Sequence, residues 1–184
     1  MNKKGQSILE AVFAIGVLLI AMSAILALTI SNIAGQKASE FQLIANNLAR
    51  EGIEVVRNIR DSNWLAADDW DNLGENYASF ARVDYNSSNL DFISTDYNLY
   101  INNGAYIHDP SSGEFSGFSR YLELQNICLN VSCPGINCGQ EEIKDSCNLA
   151  TEQKVGLKVT AVVKWFERGR ERQIKIDDLL YDWK

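Results

Sequence analysis

The stretch "GQSILEAVFAIGVLLIAMSAILALTISNIAGQ", residues 5–36, decides how the rest of the chain is read. From Ala11 to Gln36 it holds no charged residue, and a helix needs about 20 predominantly apolar residues to cross a bilayer. The run is long enough to span. At its head stands Glu10. A carboxylate at the centre of a membrane helix costs about 2.5–3.5 kcal/mol, so such groups have partners and roles. A cleaved secretory signal is the first alternative, with Lys3 and Lys4 as its basic region. Its apolar region would be unusually long, and neither Ile25–Ala27 nor Asn32–Ala34 makes a clean small-residue cleavage pattern. A plain uncleaved anchor is the second. Both leave Glu10 without a job.

Working outward, the chain has 184 residues and a formal charge of -7. Residues 1–60 carry six Lys/Arg against four Asp/Glu, and residues 61–184 carry eleven against twenty. The length suits one anchor plus one globular body. An acidic body is poorly suited to neutralising a phosphate backbone, so direct nucleic-acid binding is not expected of it.

The leader carries a resemblance. Lys3, Lys4 and Gly5, then Gln6, then Ser7-Ile8-Leu9-Glu10 and an unbroken apolar helix resemble the type III signal of type IV pilins and type II secretion pseudopilins. The resemblance implies cleavage by a prepilin peptidase after Gly5, on the cytoplasmic side, with the apolar helix kept in the mature protein. Glu10 then becomes the fifth mature residue, where the family keeps a glutamate. Gln6 stands where the family usually has an N-methylated phenylalanine, which leaves methylation open. A carboxylate stranded in lipid is neutralised when a cationic partner meets it. Cleavage supplies one, the new amine of Gln6 on a neighbouring subunit, and so makes Glu10 a register device for stacking.

Downstream, Ile33, Phe41, Ile44, Leu48, Val55 and Ile59 recur at helical spacing and predict an amphipathic continuation. Arg50/Glu54 and Arg57/Asp61 are one turn apart and suit ion pairing. Asp61-Ser62-Asn63 is the expected stop, and Gly16 and Gly35 are expected sites of close helix approach or local softening. The stretch "AREGIEVVRNIRDSNW" also resembles the stem end of minor pilins.

The body changes period. Residues 64–125 read as loops joining short strands. Asn103-Gly104 is a two-residue hairpin turn between residues 99–102 and 105–108. In "GFSRYLEL", Phe118, Arg120, Leu122 and Leu124 share one side, and the aromatic-x-Arg pattern is similar to a strand of the same family. Near the C-terminus, Val155 to Trp165 alternates with period two. With Arg168-Gly169 as the turn, Trp165 faces Arg172, Val163 faces Ile174 and Ala161 faces Ile176. Arg172 is then expected over the Trp165 ring, and Leu179, Leu180 and Trp183 are expected to return to the core.

Cys128, Cys133, Cys138 and Cys147 fall in one segment. They permit three disulfide pairings or one four-thiolate zinc site. Lys3 and Lys4 place this segment outside the cytoplasm by the positive-inside rule, where disulfides persist. Two disulfides stapling an insertion are favoured, with the pairing open. His108 is the single histidine and is expected at the surface, so no catalytic residue and no enzyme activity are assigned. Asp69, Asp71 and Gly74 occupy three EF-hand places, yet Leu73 and Phe80 fall where oxygen ligands belong. A solvated acidic loop of Asp61, Asp68, Asp69, Asp71 and Glu75 is the expectation, with an irregular calcium site as the alternative.

The expected fold class is α+β and type IV pilin-like, a long helical stem packed on a C-terminal antiparallel sheet. Residues 1–5 form the leader, 6–60 the stem (about 8–34 transmembrane), and 61–184 the extracytoplasmic body with a Cys-bearing insertion at 126–153. The resemblance implies a structural filament subunit, a minor pilin by Gln6 and the cysteine insertion, without cofactor or metal. Its implied partners are other pilin stems, prepilin peptidase, an assembly platform with its ATPase, and the membrane. It would sit in the cytoplasmic or inner membrane, C-terminus outside, and later at the cell surface. A pseudopilin of a secretion or DNA-uptake system and a monomeric membrane-anchored adhesion domain are the alternatives.

Overall fold

The computed structural model describes residues 3–74, 80–92, 95–131 and 139–182, with side chains from Ile8 onward. The chain is α+β: among the described residues one helix, α1 (Lys3–Ala66), precedes an antiparallel sheet. Its strands are β1 (Phe80–Ala81), β2 (Asn98–Asn102), β3 (Ala105–Ile107), β4 (Glu114–Asn130), β5 (Glu141–Lys144), β6 (Glu152–Glu167) and β7 (Arg170–Tyr181). Two compact units divide the chain, Met1–Phe41 and Gln42–Lys184.

In the first unit the helix buries almost nothing. Ile8, Leu9, Val12 and Phe13 are 65–74 % exposed, so apolar side chains point outward in every direction. The polar residues within the run satisfy themselves: Ser23 Oγ donates to the Ile20 carbonyl at 2.8 Å and Thr29 Oγ1 to that of Ile25 at 2.9 Å. That is how hydroxyls are tolerated where no water competes. A Cβ added at Gly16 or Gly35 would meet nothing within 4 Å, so the close approach expected there is not made among the described residues.

In the second unit α1 lies on the sheet. Its buried stripe is Ala45, Leu48, Ala49, Ile53, Val56 and Ile59, which corrects the expected one: Leu48 and Ile59 hold, Val55 gives way to Val56, and Phe41 and Ile44 are only half-buried. Small residues turned the face. A Cβ on Gly52 would already meet Leu122 Cδ2 at 3.3 Å, so the backbone sits where a larger residue would hold it off.

The helix ends later than Asp61-Ser62-Asn63. It runs to Ala66 and stops in a Schellman arrangement, with Asp68 N donating to Asn63 O at 3.0 Å and Ala67 N to Trp64 O at 3.2 Å. Ala67 takes the left-handed position at φ 61°, a place that favours glycine.

Sheet order is β3-β2-β4-β6-β7, with β1 and β5 also paired to β4. Both hairpin expectations hold. Asn103-Gly104 joins β2 to β3 with Asn102 opposite Ala105, and Arg168-Gly169 joins β6 to β7 with Trp165, Val163 and Ala161 opposite Arg172, Ile174 and Ile176. Phe118, Arg120 and Leu122 are buried together as read, while Leu124 is half-buried. Leu180 is buried but Leu179 is 45 % exposed, since adjacent strand residues face opposite sides. Trp183 lies outside the described residues.

Candidate functional site

Two features of this chain can do more than fold it. One is the outward-facing apolar helix with its single carboxylate. The other is the polar clamp that sets the second part of α1 on the sheet.

Glu10 is exposed on α1, ringed along the helix by exposed Leu9, Val12 and Phe13. The next acidic residue in the chain is Glu40. A lone carboxylate on an apolar cylinder is a directional handle: in lipid its desolvation is relieved only by a donor or cation brought from elsewhere. Lys3, Lys4, Gly5 and Gln6 belong to the same helix, and their side chains fall outside those described. Among the described residues, one helix is long and apolar enough to span a membrane.

The clamp centres on Arg120, 1 % exposed on β4. Its Nη1 donates to the Leu48 carbonyl and to Glu51 Oε1, each at 3.0 Å, and its Nη2 donates to the Val83 carbonyl at 2.7 Å. One guanidinium thus ties helix, strand and loop. His108 joins the same knot. Expected at the surface, it is 2 % exposed, with Nδ1 at 2.6 Å from Asp84 Oδ1 and Nε2 at 3.1 Å from the Arg120 carbonyl. Both ring nitrogens meet partners within the fold, so the histidine braces the junction of loop and strand.

Several expected pairs are replaced. Arg57 bonds Glu54 and, at 2.6 Å, Asp178 of β7. The hydrogen bond that Arg57 donates to Asp178, with the charge of Glu54 adding, raises the Arg57 pKa above its ordinary value. Asp61 goes instead to Arg60, whose guanidinium lies 4.7 Å from the Trp64 ring centre. Arg50 has no carboxylate within ion-pair distance among the described residues, because Arg57 takes Glu54. Arg172, though opposite Trp165, turns to Glu167 at 3.7 Å and does not stack on the ring.

Cys128 and Cys147 form a disulfide, which removes a four-thiolate zinc site and two of the three open pairings. Cys133 and Cys138 lie outside the described residues. The bond links β4 to the segment after β5, and Glu152 reinforces that corner. It accepts from Lys144 Nζ at 2.6 Å and from Asn148 N at 2.9 Å, which lowers its carboxyl pKa, Lys144 being the larger cause. Residues 126–130 and 152–153, counted in sequence as insertion, are ladder residues of β4 and β6.

The acidic loop does not converge. Asp71 is taken by Lys154 at 2.6 Å and Asp61 by Arg60, and among the described residues its carboxylates do not come together as three ligands. Glu75 lies outside those residues.

Sequence reading missed the His108–Asp84 pair altogether, since nothing local marks two residues 24 apart as partners. No protein-family model matches the chain, and neither a curated protein nor a solved structure matches it.

Proposed function

We propose that the chain is a filament subunit of the type IV pilin and pseudopilin kind, most like a minor pilin, with no reaction of its own. One observation carries the reading: a single carboxylate, Glu10, five residues after Gly5 at the head of a run that exposes its apolar side chains all round. A monomeric anchor needs the run but gains nothing from the charge. A stacking subunit needs both.

In this reading a prepilin peptidase cuts after Gly5 and frees the amine of Gln6. The Glu10 carboxylate of one subunit pairs with that amine on the next, offsetting a cost of about 2.5–3.5 kcal/mol only at the correct axial offset. The body stays outside the cytoplasm, consistent with Lys3 and Lys4 inside and the Cys128–Cys147 disulfide outside. An assembly platform and its ATPase then draw the subunit from the membrane into the filament.

The test is intact-mass analysis of protein recovered from cells, beside the Glu10→Ala variant. A start at Gln6, with at least a tenfold drop in filament incorporation for the variant, is the expected pair of results. A start at Met1 together with unchanged display of the variant replaces the reading with a monomeric anchored domain.

A further inference from the structure

Positive charge collects at one place in the acidic body, the tip of the β6–β7 hairpin. Arg168, Arg170 and Arg172 line, with Glu167, a cleft of about 330 Å³. The neighbouring carboxylates are already engaged: Glu171 lies 3.1 Å from Lys164 Nζ, and Glu167 lies 3.7 Å from Arg172 Nε. Among the described residues, no carboxylate oxygen comes within 4.0 Å of Arg168 or Arg170. Two exposed guanidiniums are therefore unspent, with a third beside them.

Turn chemistry points the same way. The two hairpin turns share one backbone form, φ 50° and 85° at Asn103-Gly104 and φ 50° and 74° at Arg168-Gly169. Such turns favour Asn or Asp at the first position, because a short polar side chain tolerates the left-handed region. Arginine has no such relief. A residue kept there against its preference is a pointer to function, and here it is one of the three cleft arginines. Guanidinium is permanently charged and offers a planar fork of donors that fits tetrahedral oxyanions.

We propose that this cleft binds a compact phosphate-class oxyanion, held by Arg168 and Arg170 with Arg172 in support. Glu167, 3.7 Å from Arg172 Nε, keeps one carboxylate at the cleft and so favours a compact anion over an extended one. A long polyanion suits the site poorly, since residues 61–184 carry twenty acidic against eleven basic residues and flanking phosphates would be repelled. The inference does not rest on the filament reading.

The experiment uses the full chain in maltoside micelles, titrated with inorganic pyrophosphate against sodium chloride at matched ionic strength and followed calorimetrically. Saturable one-to-one binding is expected, weakened at least tenfold by the double variant Arg168→Gln/Arg170→Gln and unchanged by Arg50→Gln. Arg168→Asn guards against a folding artefact: its unfolding midpoint should hold or rise while affinity falls at least threefold. A parallel titration with a phosphate monoester separates sources, equal affinity assigning the site to a carried phosphate group and weaker binding to the free ion. An effect no larger than that of chloride, or a double variant that binds as well as the parent, overturns the proposal. Tighter binding of a twelve-nucleotide single-stranded DNA overturns the compact ligand in favour of a polymer.

Discussion

The two parts of α1 are both rich in apolar residues and do opposite things with them. Before Phe41, Leu18, Leu19 and Ile20 are 61–72 % exposed, whereas after Gln42, Leu48, Ile53 and Val56 are 5 % exposed or less. The difference lies in what stands between the apolar residues. From Ala11 to Gln36 nothing charged interrupts them, so no face of that stretch is marked as outer and lipid or another apolar helix suits every side. In the second part exposed Arg50 and Glu54 mark an outer face, Glu51 and Arg57 reach to the sheet at its edges, and Ala45, Ala49 and Gly52 thin the inner face until a sheet fits against it.

One substitution made in both parts tests this contrast most strongly. Leu48→Ala should destabilise the body by about 2–5 kcal/mol, and Leu19→Ala should leave body unfolding unchanged. All four tryptophans lie after Phe41, so intrinsic fluorescence during denaturation of the full chain in micelles reads the body directly. Equal effects of the two changes would erase the distinction.

Next in size is the clamp that only the second part possesses. Arg120→Met removes the donors to Leu48, Glu51 and Val83, leaving a buried carbonyl without its partner and costing about 2–3 kcal/mol. Arg120→Lys should recover under half of that, because an ammonium lacks the fork that reaches helix and loop together. Full rescue by lysine would mean that charge alone holds the helix down.

A gain is expected at the helix end. Ala67 occupies the left-handed position at φ 61°, and Ala67→Gly should stabilise the body by about 1 kcal/mol, seen as a higher denaturant midpoint at unchanged slope. A loss there would show that the methyl group makes a contact worth more than the backbone relief.

The smallest effect lies in the disulfide corner. Lys144 and the Asn148 amide stabilise the charged form of Glu152, so its folded pKa lies below the ordinary glutamate value. A depressed carboxyl contributes stability that is present above the unfolded pKa and lost as pH falls through the folded one. Carbon-detected titration should place the Glu152 midpoint below that of an unperturbed glutamate, with Lys144→Met returning it toward the ordinary value. Helix content should not move across the same window.

By itself the sequence determined those parts of the protein whose cause is local. An uncharged run of this length permits little besides a membrane-capable helix, and Asn103-Gly104 and Arg168-Gly169 set both hairpins because turn type and two-residue period leave one register that keeps Val163, Ile174, Ala161 and Ile176 on one face. The Glu10 handle was legible for the same reason, being conspicuous against its neighbours. Tertiary structure alone decided the face that α1 turns inward, since Ala45, Ala49 and Gly52 act through the bulk they lack. It also decided the burial of Arg120 and His108, because a polar group tolerates the interior only where partners meet it, and theirs come from chain positions 12 to 72 residues away.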